Sequence, residues 1–208
     1  MVARFITFEG IEGVGKTTQV ALAQAWLEER GIAHIVTREP GGTPLAEKIR
    51  ALVLAPRDEN LPPTAELLLM FAARAVHLEN RILPALVAGS WVLCDRFTDA
   101  TFAYQGAGRG IAPASISQLE TLVQGARQPD MTFLLDLPVE QGIRRVHQRG
   151  LRPDRFELER VEFFERVRQG YLFRARAASK RFVVLDASEP AAAVHAKIAA
   201  CLQALSEA

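Results

Sequence analysis

The sequence predicts an α/β protein with a five-stranded parallel sheet flanked by helices on both faces. Three observations predict this class: five short apolar runs, longer helical patterns between them, and a glycine-rich loop directly after the first run. Nearly continuous apolar runs are typical of strands covered on both faces, and strands that alternate with helices are joined by right-handed crossovers. The 208 residues show no internal repeat and no linker, so we expect one domain over residues 1–208.

The five apolar runs are assigned to strands. In chain order they are Arg4–Glu9, His34–Thr37, Trp91–Asp95, Thr132–Asp136 and Phe182–Asp186. Three of them end in aspartate and a fourth is followed by REPGG, so polar side chains collect at the carboxyl ends of the strands. In an open parallel sheet, ligands bind at that edge.

Seven segments carry the apolar periodicity of helices. They are Thr17–Arg30 closed by Gly31, Leu45–Leu54, Thr64–Leu83, Ala114–Gly125, Val139–Gln148, Leu158–Ala178 and Ala191–Leu205. The longest uncharged apolar stretch is 82–94, but Pro84, Gly89 and Ser90 interrupt it. This stretch therefore indicates a helix end followed by a buried strand, and not a membrane span.

Composition and charge exclude several classes of protein. The chain is 49% hydrophobic and 24% charged, as in ordinary soluble globular proteins. Because 25 Lys+Arg nearly balance 24 Asp+Glu, no global field attracts nucleic acid or a membrane, and anion binding must be local. Cys94 and Cys201 lack metal-ligand spacing, and the N-terminus lacks the basic and apolar blocks of a signal peptide. We expect a cytoplasmic protein.

The glycine-rich loop matches a phosphate-binding motif. Gly10, Gly15, Lys16 and Thr17 fit G-x-x-x-x-G-K-[ST], after a predicted strand and before an amphipathic helix. Backbone N–H groups face phosphate oxygens where no Cβ blocks the approach, and the helix N-terminus favours the same anion. We therefore expect a P-loop NTPase fold in which Lys16 contacts the β- and γ-phosphates and Thr17 binds Mg²⁺. The predicted ATP-binding residues are Gly10, Ile11, Glu12, Gly13, Val14, Gly15, Lys16, Thr17 and Thr18.

A phosphate loop identifies the donor but not the reaction, because GTPases, ATP-driven machines and small-molecule kinases all carry it. The guanine-reading motif Asn-Lys-x-Asp is absent, since the two asparagines, Asn60 and Asn80, precede Leu61 and Arg81. A kinase for a phosphorylated acceptor needs a second anion site and arginines near the transferred group. The sequence offers several arginines of this kind.

Five motifs, in order, resemble those of bacterial thymidylate kinases. They are GIEGVGKTT, TREPGGT, LLLMFAARA, DRFTDATFAYQGAGRG and RPDRFE. The resemblance runs from Phe5 to about Asp186. It implies a homodimer that transfers the γ-phosphoryl group of ATP to dTMP, giving dTDP and ADP for DNA synthesis, with Mg²⁺ as cofactor. Two alternatives stay open: another nucleoside or small-molecule kinase, and a non-catalytic nucleotide-binding switch.

Asp95 ends the third predicted strand, and Arg96 follows it directly. Asp95 stands where a carboxylate that organises Mg²⁺ through water is usual, and Arg96 is predicted to hold the acceptor phosphate. Asp136 ends a similar run and competes for the magnesium role, although the resemblance favours Asp95. Glu9, at the end of the first strand, either assists the metal or caps the loop.

The remaining acceptor residues are implied by the resemblance. Phe71 and Arg74 lie three apart on one helix face, where Phe71 is implied to stack on thymine and Arg74 to bond its edge. Without the resemblance, the apolar pattern favours Phe71 as a core residue. Thr101 and Gln105 complete base recognition, and Tyr104 lies against the sugar. The predicted dTMP-binding residues are Glu39, Arg50, Phe71, Arg74, Arg96, Thr101, Tyr104 and Gln105.

An arginine-rich segment at about 149–157 is predicted to be a mobile lid. Arg149, Arg152 and Arg155 occur within seven positions, and closure over the phosphates would exclude water and bring positive charge to the γ-phosphate. The phosphate loop contains no arginine, so the resemblance assigns the catalytic arginine to the lid, with Arg155 first and Arg149 next. An apparent extra residue near Pro153 leaves the relative placement of Arg149 and Arg152 open.

The helix Thr64–Leu83 is apolar on more than one face. One face covers the sheet, and we expect the other to form the two-fold interface of the homodimer that the resemblance implies. None of the four histidines is expected to be catalytic, because the acceptor phosphate is already ionised. Cys94 is expected in the core.

Overall fold

The sheet order brings distant motifs to one edge. In the computed structural model, which describes residues 2–56, 58–148, 155–157 and 159–207, five parallel strands follow the order β2-β3-β1-β4-β5. The central strand β1 pairs with β3, with Phe8 opposite Asp95, and with β4, with Phe8 opposite Phe133. The loop after β1 therefore opens over the middle of the carboxyl edge. The strands are β1 Phe5–Glu9, β2 His34–Arg38, β3 Trp91–Asp95, β4 Met131–Asp136 and β5 Phe182–Asp186.

Helices cover both faces of the sheet, which confirms the predicted α/β class. Short π-helical segments continue two of them, Leu78–Ile82 after α3 and Phe102–Gly108 after α5. Within the described ranges the helices are α1 Lys16–Glu29, α2 Pro44–Leu54, α3 Pro63–His77, α4 Leu83–Val87, α5 Thr98–Thr101, α6 Pro113–Gln124, α7 Val139–Gln148, α8 Val161–Ala177 and α9 Ala191–Glu207. No helix among these residues is long and apolar enough to cross a membrane.

The predicted helix boundaries differ from the structure in two places. The segment Thr64–Leu83 is not one regular helix, because α3 passes through the π-helical turn Leu78–Ile82 into α4. The sequence analysis assigned no separate element to residues 98–108, which form α5 and the second π-helical segment. Two glycines weaken the helical signal there. They are tolerated because a Cβ on Gly108 would lie 2.6 Å from the Phe163 ring, so this segment packs closely on α8.

The strands are buried as their apolar composition predicts. Every residue of β1 and the first four residues of β3 are buried. Cys94 lies in an apolar cluster with Phe5, Val92 and Phe97, which confirms it as a core residue. The core therefore fixes the strands rigidly up to their carboxyl ends, where the polar side chains begin.

Candidate active site

A pocket of about 190 Å³ lies at the carboxyl edge of the sheet, between the phosphate loop and the helices α2, α3 and α5. Apolar side chains line its far wall: Leu54, Met70, Ala100 and Phe156. The pocket brings together eleven of the residues predicted from sequence. They are Glu12, Gly13, Gly15, Lys16, Thr17, Glu39, Arg50, Asp95, Arg96, Tyr104 and Gln105.

The loop between β1 and α1 has the backbone conformation that its glycines permit. Its φ angles are +134° at Gly10, +75° at Gly13 and +96° at Gly15, in a region that residues with a Cβ rarely adopt. A Cβ on Gly10 would lie 2.5 Å from the Leu135 carbonyl oxygen, and one on Gly13 would lie 2.2 Å from that of Gly142. Neighbouring backbone therefore requires two of these glycines, in addition to any phosphate.

Lys16 lies within the loop. Its Nζ donates to the carbonyl oxygens of Gly10 at 3.1 Å and Ile11 at 2.9 Å. Burial lowers the pKa of Lys16 to about 8, and the Arg96 charge adds to the decrease, while the Asp95 carboxylate opposes it. The ammonium group is thus held against the loop, and its charge depends on pH near neutrality.

The carboxylates at the strand ends differ in the hydrogen bonds that their oxygens accept. Asp95 lines the pocket, and its buried Oδ1 has no hydrogen-bond partner among the described residues. Asp136, its competitor for the metal, forms two bonds to Arg168 at 2.7 and 2.8 Å. Nowhere in the described parts of the chain do three or more acidic, cysteine or histidine side chains cluster as metal ligands. The arrangement fits Mg²⁺, which keeps several waters and takes one or two carboxylates plus substrate phosphates.

Glu9 has both carboxylate oxygens engaged by the protein. Its Oε1 accepts from the Phe97 backbone N–H and its Oε2 from the Tyr171 hydroxyl, each at 2.7 Å. Burial raises the pKa of Glu9 to about 8, with the Asp99 charge adding to the increase. Because the protein engages both oxygens, Glu9 is better suited to order the ends of the strands than to bind a metal.

Arg96 stands between the phosphate loop and the pocket wall. Its φ is +70°, an uncommon conformation for a residue other than glycine. Its guanidinium donates to the Tyr171 hydroxyl at 2.9 Å, and to Glu12 and the Tyr104 hydroxyl at 3.0 Å each. Burial raises the pKa of Tyr104 well above its usual value, so its hydroxyl remains a donor and bonds the Glu12 carboxylate. Arg96 is therefore oriented by three partners at the predicted position of the acceptor phosphate.

Arg74 and Thr101 lie together behind the pocket and do not line it. The Nε of Arg74 donates to Glu39 at 2.8 Å, and its Nη2 donates to Thr101 at 3.0 Å. Glu39 is also bonded to His77 at 3.0 Å, and His77 has a structural role that the sequence analysis did not assign. The Nη1 of Arg74 is buried without a hydrogen-bond partner in the part of the chain described. Arg74 thus orients Glu39, and its Nη1 remains a donor without a partner among the described residues.

Phe71 does not line the pocket, and its stacking on thymine stays a prediction. It is 2% exposed and packs with Leu67, Phe102 and Ile116, away from the pocket lining. Met70, one residue earlier, lines the pocket instead. Successive helix residues point about 100° apart, so the residue after Met70 faces the neighbouring helices. The geometry favours Met70 as the residue that faces a bound base.

Gln105 lines the pocket, and its amide is held in place by Glu66. Its Nε2 donates to Glu66 Oε1 at 2.8 Å, and its Oε1 is buried without a partner in the described chain. Glu66 is completely buried on α3, yet the sequence analysis did not select it. A carboxylate within the apolar stripe of α3 was the signal available in the sequence.

The lid arginines are only partly described. Arg149 and Arg152 lie outside the described residues, as does most of the predicted lid. Arg155 is bonded to Glu66 and donates to the Val53 carbonyl oxygen at 2.9 Å, so it does not line the pocket. Phe156, which sequence reasoning missed, does line it and packs edge-on against Tyr104 with ring centroids 5.6 Å apart.

A second pocket, of about 490 Å³, lies on the other side of the phosphate loop. It is bordered by α7, by the start of α9 and by the segment after β5. Arg145 donates to the Ala187 carbonyl oxygen at 3.1 Å and so joins two of these borders. Arg145 was not selected from the sequence.

Comparisons with known proteins show the family of this chain. The family model for thymidylate kinase matches residues 8–198. The thymidylate kinase of Chromohalobacter salexigens is 61% identical over 200 residues, which are 96% of this chain and 94% of that protein. The thymidylate kinase of Teredinibacter turnerae is 55% identical over 204 residues, 98% of this chain and 99% of that protein.

A solved structure of a relative has the same fold as this chain. The crystal structure of thymidylate kinase from Ehrlichia chaffeensis superimposes with a TM-score of 0.78 at 35% identity, covering 98% of this chain and 100% of that chain. This likeness includes the five-stranded parallel sheet of the P-loop NTPase fold. The family model over residues 8–198, together with relatives of 55–61% identity over nearly the whole chain, shows that the chain belongs to the thymidylate kinase family.

Proposed function

We propose that this protein transfers the γ-phosphoryl group of ATP to dTMP, giving dTDP and ADP. One observation carries the proposal: a single pocket is lined both by the phosphate loop and by Gln105, whose amide oxygen is buried without a hydrogen-bond partner among the described residues. A nucleoside monophosphate placed along it directs its phosphate toward Lys16 and Arg96 and its base toward Gln105. The family shown by the comparisons supports the same reaction.

The phosphate end combines positioning with charge. Lys16 binds the β- and γ-phosphates of ATP, and Arg96 holds the acceptor phosphate in line with them. When bound, Mg²⁺ would supply positive charge that offsets the negative charge of the phosphates. The Thr17 hydroxyl would hold it directly, and the open Oδ1 of Asp95 would hold it through water. The second pocket, beside Arg145, is suited to the adenine of ATP.

The acceptor end is built for a pyrimidine. Met70 forms the apolar wall against the flat face of the base, and Gln105 bonds its edge. Tyr104 lies beside the sugar, while Glu39 and Arg50 line the entrance to the pocket. The Nη1 of Arg74 has no hydrogen-bond partner among the described residues. A movement of the side chains between Arg74 and the pocket would let it donate to a carbonyl oxygen of the base.

The test is ADP release with ATP and Mg²⁺, using dTMP, dUMP, dCMP, dGMP and AMP in parallel as acceptors. We expect strong turnover with dTMP and weaker turnover with dUMP. Turnover confined to another monophosphate would establish a different nucleotide kinase. No turnover with any acceptor, together with tight ATP binding, would establish a nucleotide-binding switch.

Met70→Ala is expected to raise the KM for dTMP about tenfold while leaving the KM for ATP unchanged. The reason is the loss of apolar contact worth on the order of 1.5 kcal/mol at the pocket wall. Steady-state kinetics with each substrate varied in turn measures both constants. If Phe71→Leu raises the KM for dTMP and Met70→Ala does not, Phe71 contacts the base, as the family resemblance implies.

The activity is expected to fall as the pH rises through about 8. Burial holds the pKa of Lys16 near that value, and the neutral amine binds phosphate weakly. The kcat/KM for ATP reports the free enzyme and should decline above pH 8. Bound phosphates favour the charged amine, so the decline in kcat should lie at higher pH. A kcat/KM that is constant from pH 7 to pH 10 would contradict this assignment.

We propose a two-fold homodimer that uses the face around α3. Exposed leucines form this face on three neighbouring helices, with exposures of 53–79%. They are Leu45 and Leu52 on α2, Leu68 on α3 and Leu122 on α6. Light scattering at micromolar concentration is expected to give twice the mass of the chain, and Leu68→Arg is expected to halve it. A monomeric wild-type protein would contradict the proposal.

The cytoplasm is the proposed site of the reaction. Cys94 and Cys201 are free thiols, as is usual in a reducing compartment that also contains ATP and deoxynucleotides. Fractionation of cells that express the protein, followed by an activity assay of each fraction, tests this. Activity confined to a membrane or exported fraction would exclude it.

A further inference from the structure

We propose that Glu66 and Arg155 are positioning residues that determine which pyrimidine base the pocket accepts. They do so by fixing the direction in which the amide of Gln105 faces. The inference rests on the proposed function, because it assumes that the base of a nucleoside monophosphate reaches Gln105. It also gives Arg155 a role different from the catalytic one that the resemblance implies.

The bonds around Glu66 define the orientation of the amide. Glu66 is 0% exposed, and its Oε1 accepts from Gln105 at 2.8 Å and from Arg109 at 3.4 Å. Its Oε2 accepts from Arg155. An ionised carboxylate has no hydrogen to donate, so the NH₂ group of Gln105 must face Glu66. The amide oxygen is then the atom presented to the pocket.

That oxygen distinguishes between bases. It is buried and has no protein partner in the described chain, so it requires a donor from the ligand. The imide N3–H of thymine or uracil is such a donor. Cytosine presents an unprotonated N3, an acceptor, at the same position and would leave two acceptors facing each other. A site built to bond one group rejects a base that leaves it unpaired.

Two arginines hold the Glu66 carboxylate in place. Arg109 is shared between Glu66 and Glu159, whereas the described bonds of Arg155 go to Glu66 and the Val53 carbonyl oxygen. Arg155 bonds Oε2, while Gln105 and Arg109 bond Oε1, so the loss of Arg155 leaves the carboxylate free to rotate away from the Gln105 amide. Arg155 therefore acts on base recognition through Glu66.

The experiment compares wild type, Arg155→Gln, Glu66→Gln and the double variant. Calorimetry without ATP measures the binding of dTMP and dCMP, and steady-state assays give kcat and KM. We expect each single variant to lose about tenfold in the preference for dTMP over dCMP, the usual effect of one buried hydrogen bond. The loss should appear in binding and KM, with kcat changed less than about threefold. The double variant should lose no more than either single variant, because both act on one amide.

Arg168→Gln is the matched control, because it removes an arginine that is paired with a carboxylate, Asp136, but is remote from Gln105. It should keep the wild-type base preference. If Glu66→Gln does not fold, the base preference of Arg155→Gln decides alone, since Glu66 then keeps Arg109. A kcat lowered more than tenfold in Arg155→Gln, with base preference intact, would make Arg155 catalytic and overturn the inference.

The failure of this inference is distinguishable from that of the proposed function. If the wild type binds and phosphorylates dTMP, and all variants keep its base preference, only the positioning role is excluded. If the wild type neither binds nor phosphorylates dTMP, both proposals are excluded.

Discussion

Lys16→Met will lower kcat for dTMP phosphorylation about a thousandfold while the protein remains folded. The ammonium group is the cation placed inside the phosphate loop, and removing one preorganised donor from a transition state costs roughly 10²–10³ in rate. Methionine keeps the length of the side chain and its packing. Single-turnover measurements with saturating ATP and Mg²⁺ isolate the chemical step.

Lys48→Met is the matched control, because Lys48 is an exposed lysine on α2. It should retain wild-type rates, and both variants should unfold at the wild-type temperature. A Lys16→Met variant with at least a tenth of the wild-type kcat would show that the loop binds ATP by its backbone alone. The predicted role of Lys16 would then be wrong.

Arg74→Met will reduce the free energy of unfolding by about 3–5 kcal/mol, the usual cost of removing one partner of a buried ion pair. The Arg74 side chain is fully buried, and without it the Glu39 carboxylate retains His77 as its one side-chain partner among the described residues. Urea denaturation measures the loss. Binding of dTMP should also weaken, because Glu39 lines the acceptor pocket.

The double variant Glu39→Gln/Arg74→Met separates these two effects. It removes the isolated charge, so it should recover at least half of the stability lost in Arg74→Met. It should not recover dTMP binding, since the Glu39 carboxylate that lines the pocket is now altered as well. Equal urea midpoints for Arg74→Met and wild type would show that the ion pair contributes nothing to stability.

The sequence predicted those parts of the fold that depend on local pattern. All five strands appear within two residues of their predicted bounds, because each is an apolar run buried on both faces. The phosphate loop could also be predicted from the sequence, because its function requires glycines, a lysine and a hydroxyl within a few positions. Asp95 and Arg96 could be placed because they lie at the end of a buried strand.

Residues whose place depends on packing between distant segments could not be derived in this way. Met70 and Phe71 are adjacent apolar residues, and which of them lines the pocket depends on the packing of α3 against α6 and the segment 102–108. Glu66 becomes important through Gln105 and Arg155, which lie far along the chain and carry no periodic signal. The resemblance placed Arg155 in a motif but gave no information on the carboxylate that binds it.

The contact between Gly13 and Gly142 couples the phosphate loop mechanically to helix α7. With no side chain between the backbones, a rotation of α7 cannot be absorbed by a rotamer change and must displace the phosphate loop. A Cβ on Gly142 would lie 2.7 Å from the Glu12 carbonyl oxygen, so even alanine there disturbs the loop. The orientation of α7 and the shape of the phosphate loop therefore change together, because of a glycine that lies outside the phosphate-binding motif.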